Sequence, residues 1–299
     1  MNDERAKPGG DPYAFPTAGL SGVLTLVAFV LMLFVLAPLL TMGHAVLGHS
    51  AGMVVGFGLV GTLAARRVPA PAELRMGLRG FPVRLLGLLL LLVPVVFWLS
   101  ELDNLAADAL GRPEPPEDAA GNGDQDAVLS VAALRTIEMG LFFVLLRPVI
   151  EEFFFRGVIQ QGATAQLGAR SGILLSTLLF MTVRSIPAAG SPYAIVVVTS
   201  QALVEGLLLG GLRHVSGSLL PGILLQGLVN GIGLLALLFA AEVPIAGFNL
   251  QEGHMSAVFL LPSALCVGVG LVWMRRLAAD VEPLPPCPPP PDPDDDFES

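Results

Sequence analysis

Charge is scarce in this 299-residue chain: 14% of its residues are Asp, Glu, Lys or Arg, against about 25% in an ordinary soluble domain. A water-soluble fold of this size could not cover its surface from that supply, which excludes soluble enzymes and secreted scaffolds. Basic residues are scarcer than acidic ones, 16 against 25, for a formal net charge of −9. Binding to a polyanion rests on clustered Lys and Arg, so no nucleic-acid partner is expected. Two cysteines, Cys266 in an apolar run and Cys287 near the end of the chain, do not make a disulfide framework. Aromatic residues are only 7%, so aliphatic side chains supply the apolarity. What is abundant is hydrocarbon: 54% of residues are hydrophobic and mean hydropathy is +0.73. The chain is expected to live in a membrane, with lipid as its first partner.

A spanning helix needs about 20 mostly apolar residues. Segments near 20–42, 44–64, 84–100, 141–165, 171–186, 193–212, 217–241 and 255–274 approach that length. The fold class is therefore all-α, a polytopic membrane bundle of about eight transmembrane helices. It divides into a cytoplasmic segment 1–19, a membrane domain 20–276 and a Pro-rich acidic tail 277–299. The first run is too long for a signal-peptide core and no small-residue cleavage site follows it, so it reads as an anchor. Short cytoplasmic loops collect Lys and Arg. Arg66, Arg67, Arg75, Arg79 and Arg84 follow the second run, Arg170 the fourth, Arg213 the sixth, and Arg275 and Arg276 the eighth. These are alternate loops, so both termini are expected in the cytoplasm, and a bacterial inner membrane is the expected home. The opposite loops hold Glu101, Asp103, Asp108, Glu242 and Glu252. The Gly- and Pro-containing stretch 111–127 reads as a solvated loop, and 283–299 as a disordered polyproline-like tail.

Ionisable groups inside a spanning segment are costly and mark functional candidates. The fourth run, LLFFVLLRPVIEEFFFRG, holds Arg147, Glu151, Glu152 and Arg156; the fifth ends in Arg184, the sixth holds Glu205, and the seventh holds Gln226 and Asn230. Residues four apart on a helix share a face. Glu152 should then meet Arg156 as a structural ion pair, and Arg147 can meet Glu151, which is left to face another helix. Pro148 removes a backbone bond, a kink expected to leave room for water or substrate. At 1.5 Å per residue, Glu151 lies ~21 Å, Arg184 ~20 Å, Gln226 ~14 Å and Asn230 ~20 Å above the cytoplasmic side. This common depth predicts one site in which Glu151, Arg184 and Asn230 share a cavity. Glu205, at ~10 Å, reads as a packing or interfacial acid outside it.

Over about 130–240, this order of residues resembles the CAAX-protease and bacteriocin-processing family, the CPBP or Abi membrane proteases. The family pattern is E-E-x-x-x-R, then F-x-x-x-H, then H-x-x-x-N or H-x-x-x-D. Here Glu151, Glu152 and Arg156, with Gly157 behind them, keep the first motif. Phe180 to Arg184 is the second motif with arginine in place of histidine, and Gln226 to Asn230 the third with glutamine in place of histidine. The resemblance implies an intramembrane endopeptidase acting on a membrane-delivered or prenylated peptide. It assigns catalytic positions to Glu151, Arg184, Gln226 and Asn230: water activation to the first two, the oxyanion side to the last two.

The residues themselves qualify those roles. Arginine is permanently protonated and has no acceptor, so Arg184 can neither take a proton nor bind a metal. Members of the family have been considered metalloproteases, but zinc prefers imidazole and thiolate beside carboxylate. His44, His49, His214 and His254 stand at or beyond the ends of the apolar runs. No metal or other cofactor is expected. Two functions follow: a membrane endopeptidase, or a catalytically degenerate relative acting as a binding, immunity or assembly partner. A transporter would need discontinuous helices in matching halves, and no such repeat stands out.

Overall fold

The structure, a computed structural model, describes residues 10–112, 134–250, 253–282 and 285–289. The acidic stretch expected as a solvated loop falls almost wholly outside these residues, as does most of the tail. Among the described residues, seven helices are long and apolar enough to cross a bilayer: α1 (Ala18–Thr41), α2 (Ala45–Ala65), α3 (Leu85–Leu110), α5 (Ala169–Ala188), α6 (Pro192–Ser216), α7 (Leu220–Leu238) and α8 (Ala257–Ala279). The remaining expected crossing is a continuous helix over 134–167, here α4. Its six charged residues set it apart from the other seven. The chain is an all-α polytopic membrane protein.

Local chemistry sets the helix ends. Thr17 Oγ1 accepts from Leu20 N at the start of α1, and Ser191 and Ser256 cap α6 and α8 in the same way, each satisfying an orphan donor of the first turn. Gly217, at φ +63°, ends α6 in the left-handed conformation that favours glycine. The α1–α2 pair is drawn together by Gly48, Gly52 and Gly56, one per turn. A Cβ at Gly52 would lie 2.9 Å from Met32 O, and one at Gly56 would run into Ala28 O. Small residues at this spacing let membrane helices approach closely enough for van der Waals packing to hold them.

The core beside α4 is aromatic. Phe57 of α2 meets Phe154 edge-on at 5.0 Å, and Phe155 meets Phe180 of α5 edge-on at 5.4 Å, the geometry preferred by ring quadrupoles. All four rings are buried. They clamp α4 between α2 and α5 over the stretch that carries Glu151, Glu152 and Arg156.

Two helices run past their apolar stretches. α3 continues to Leu110, so Glu101, Asp103 and Asp108, expected in a loop, stand on its last turns. There they find partners: Asp103 takes bonds from Arg112 and Tyr193, while Glu101 accepts from Asn104 and Met255 N. His254 lies between two carboxylates, Nδ1 2.7 Å from Glu101 Oε1 and Nε2 2.7 Å from Asp108 Oδ2. Both ring nitrogens must donate, which only the imidazolium can do. Bonding to Glu101 and Asp108 accordingly raises the His254 pKa above its ordinary 6.5. A raised folded-state pKa gives stability that is complete below about pH 6.5 and is lost as pH rises through the raised value. Amide exchange across 247–256, corrected for its intrinsic pH dependence, should therefore quicken as pH passes that value. In a His254→Gln protein the corrected rate should be flat.

Pro285–Pro289 departs from the expected disordered tail. Arg75, almost fully buried, donates from Nη2 to Pro285 O at 2.6 Å and Pro286 O at 3.0 Å, and Cys287 N donates to Asp11 Oδ2 at 2.5 Å. Proline lacks a donor but keeps a strong carbonyl acceptor, so a guanidinium suits it. Cys287 is buried, and burial with the Asp11 carboxylate pushes its thiol up to about 11. Since the thiolate is the reactive form, maleimide should label Cys287 slowly near neutral pH in a Cys266→Ser background. Arg75→Ala should release the segment and raise the labelling rate ~10-fold or more, as the thiol returns toward its free pKa of about 8.5. An unchanged rate would mean that Arg75 does not hold the tail.

Candidate functional site: an ion cluster between four helices

The backbone of α4 is wound unevenly around the charged residues. Leu141–Leu146 and Glu152–Ile159 form π-helical turns, separated by one α-helical turn, Arg147–Glu151. Such widened turns are rare and often sit at functional sites. In the first, Arg147 N donates five residues back, to Phe142 O. The next donor in that register would be residue 148, a proline with no N–H. Asn230 Nδ2 of α7 donates to Phe143 O instead, at 2.8 Å. Where Pro148 removes the donor, a side chain from the facing helix takes the carbonyl left without one.

Glu151 is the centre of the cluster. Oε1 accepts from Arg147 Nε at 3.0 Å and Arg184 Nε at 3.2 Å; Oε2 accepts from Arg184 Nη2 at 2.7 Å and Gln226 Nε2 at 2.5 Å. A carboxylate offers about four lone-pair positions, and here four N–H groups from α4, α5 and α7 occupy them. Arg184 grips with both edges of its fork, the bidentate geometry that makes such pairs strong. It also lies 4.6 Å over the Phe180 ring and reaches Glu205 Oε2 of α6 with Nη1 at 3.4 Å.

Glu205 therefore belongs to the cluster, against the expectation that it lay too shallow. α6 continues to Ser216, one turn beyond the apolar run from which depth was counted, and roughly 16 Å rather than 10 Å separates Glu205 from the helix end. The reach of the arginine side chain covers the rest. Asn230 moves the other way. It shares the α7 face of Gln226 but bonds to the α4 backbone, and none of its bonds is to Glu151 or Arg184. Its partner was invisible in the sequence because it arises from the π register.

One turn along α4, Glu152 Oε1 and Arg156 Nη1 are 3.1 Å apart and almost entirely buried. Neither partner has an aligned hydrogen bond, so charge proximity holds the pair. Arg156 stacks 4.4 Å from the Phe180 ring, which it shares with Arg184.

A family model described as Type II CAAX prenyl endopeptidase Rce1-like matches residues 133–232, about a third of the chain. The match spans α4 to α7 and so contains every member of the cluster. Over this core the chain is similar to the CAAX-protease family. Comparison with curated proteins and with solved structures returns no match. Within the matched core, Arg184 and Gln226, the positions that the resemblance gives to the two motif histidines, both donate to Glu151.

The same residues fit a metal ion poorly. Among the described residues, no three of His, Cys, Asp or Glu come together to hold one. Glu151 has no lone pair to spare, and the remaining neighbours are guanidinium and amide groups.

Proposed function

We propose that this CAAX-protease-like protein binds or assembles with membrane-delivered peptides and does not hydrolyse them. The observation that carries this reading is the saturation of Glu151. A general base must accept a proton from water within hydrogen-bond reach, and here four donors fill the positions that water would need. Arg184 cannot substitute, since it has no acceptor. The partner class follows from the family: a hydrophobic or prenylated peptide presented from the bilayer, reaching a core whose charges are paired with one another. The arginine-rich alternate loops support an orientation with both termini in the cytoplasm.

The test is a cleavage assay on the purified protein in liposomes, with a farnesylated CAAX-type peptide. Wild type and Glu151→Gln should both remain at the background rate, while a photo-crosslinking version of the peptide should still label α4 to α7. Turnover by wild type that disappears in Glu151→Gln would overturn the reading and make Arg184 an electrophile.

A further inference from the structure

A groove opens between α2 and α4, in the half of the bundle where α1 ends and both of these helices begin. Its volume is about 530 Å³, and it is lined by Val46, Leu47 and Ser50 of α2 and by Glu138, Leu145 and Val149 of α4, among others. Sites for small molecules hold about 300–1,000 Å³, so it has the room of a binding site. From Glu138 to Val149 it follows α4 for roughly 16 Å. Leu47, Leu141 and Leu145 are each more than half exposed, so its walls stand open to the bilayer.

Two polar side chains interrupt the hydrocarbon, and neither has a partner among the described residues. Glu138 is exposed and enters no ion pair or hydrogen bond, and the hydroxyl of half-buried Ser50 bonds to nothing in the protein. They stand at different depths. The His49 and Phe142 rings are 6.2 Å apart, which sets the turn of Ser50 level with Phe142, one helical turn deeper than Glu138. Below that level the lining is Leu145, Leu146 and Val149. From the surface inward, the groove therefore presents an acid, a hydroxyl and then about 10 Å of hydrocarbon.

That order selects an occupant. An extended peptide would need a partner for every N–H and C=O at membrane depth, and the walls below Ser50 offer none, whereas an alkyl chain needs none. The head of the chain must suit Glu138, which repels an anionic group and accepts a charge-assisted bond from an ammonium. Between the two, the Ser50 hydroxyl can donate to an ester oxygen. We propose that this groove binds one phospholipid with a primary-amine headgroup, its ammonium at Glu138, a glycerol ester at Ser50 and an acyl chain along Leu145 and Val149. The lipid closes the seam between α2 and α4 on that side of the bundle. The site is separate from the Glu151 cluster and does not depend on whether the protein binds or cleaves peptides.

The test is native mass spectrometry of the full chain, reconstituted in vesicles of equal parts phosphatidylethanolamine and phosphatidylglycerol and released into a mild detergent. The wild type should retain one phosphatidylethanolamine per chain. Glu138→Gln should lower that retention about tenfold or more, the loss expected for a charge-assisted hydrogen bond, and Glu138→Lys should exchange the preference for phosphatidylglycerol. Both changes are at an exposed side chain, so both proteins should fold. Leu145→Trp, which fills the groove, should abolish retention of either lipid. Equal retention of the two lipids by the wild type, or unchanged retention by Glu138→Gln, would overturn the headgroup assignment, and undiminished retention by Leu145→Trp would place the lipid elsewhere. No added mass, or the mass of a peptide or a second chain in place of lipid, would overturn the proposal altogether.

Discussion

Glu152→Gln is expected to cost more stability than any substitution in the Glu151 cluster, with no compensating effect on ligand binding. Glu152 and Arg156 are the most deeply buried ion pair among the described residues, and neutralising one member leaves a guanidinium without a counter-charge. Breaking a buried pair in this way costs about 3–5 kcal/mol. At roughly 2–4 °C per kcal/mol for a chain of this size, the melting temperature in detergent should fall by about 10 °C. Replacing both residues by leucine and methionine should recover much of the loss, because the paired charges are themselves costly to bury. The facing helix makes an independent prediction. A Cβ at Gly222 of α7 would collide with the Glu152 carboxylate, so Gly222→Ala should destabilise the wild type and be better tolerated once Glu152 has been shortened to alanine. An unchanged melting curve for Glu152→Gln would show that the pair holds nothing together.

The pairing of Glu152 with Arg156 was legible in the sequence, because it needs only a four-residue spacing on one helix. So was the meeting of Glu151 with Arg184, because both residues count to the same depth from a single tight turn. What the sequence hid depends on backbone detail. Asn230 is expected in a cavity shared with Glu151 and Arg184, and its bond to Phe143 O could not be read, since that free carbonyl exists only where π-helical winding meets Pro148. Glu205 was misplaced by one turn, because hydropathy marks where a helix leaves hydrocarbon and not where it stops. The acids of α3 were put in a loop for the same reason. Gly48, Gly52 and Gly56 were a readable signal that composition obscured: among 34 glycines, the ones that matter are those repeated at every fourth position. Pro285–Cys287 looks like solvated tail in any compositional reading, and only the carbonyl clamp of a buried arginine says otherwise.

Peptide cleavage is expected to emerge when histidine is placed at both positions that the family motif gives to it, in a protein carrying Arg184→His and Gln226→His. The argument runs through the lone pairs of Glu151. Arg184 supplies two of its four donors and Gln226 one, so the double change removes three and leaves Arg147 alone. A neutral imidazole at 184 brings an acceptor that arginine lacks, and water can then bridge it to the carboxylate. A positioned general base contributes roughly 10²–10⁴-fold to a proton-transfer step, so the rate on a farnesylated peptide should rise from background by about two orders of magnitude or more. Arg184→His alone should give less, because Gln226 still holds Oε2. Glu151→Gln in the double-histidine background should return the rate to zero, which ties any gain to this carboxylate and not to a contaminating protease. Glu152→Gln there should act through stability instead, lowering the amount of folded enzyme without changing turnover per folded molecule. If the double-histidine protein folds, binds peptide and still fails to cleave, what prevents cleavage lies beyond Arg184 and Gln226. Asn230 is then the next position to change, because one N–H of its amide is committed to the Phe143 carbonyl and only the other is left to serve an oxyanion.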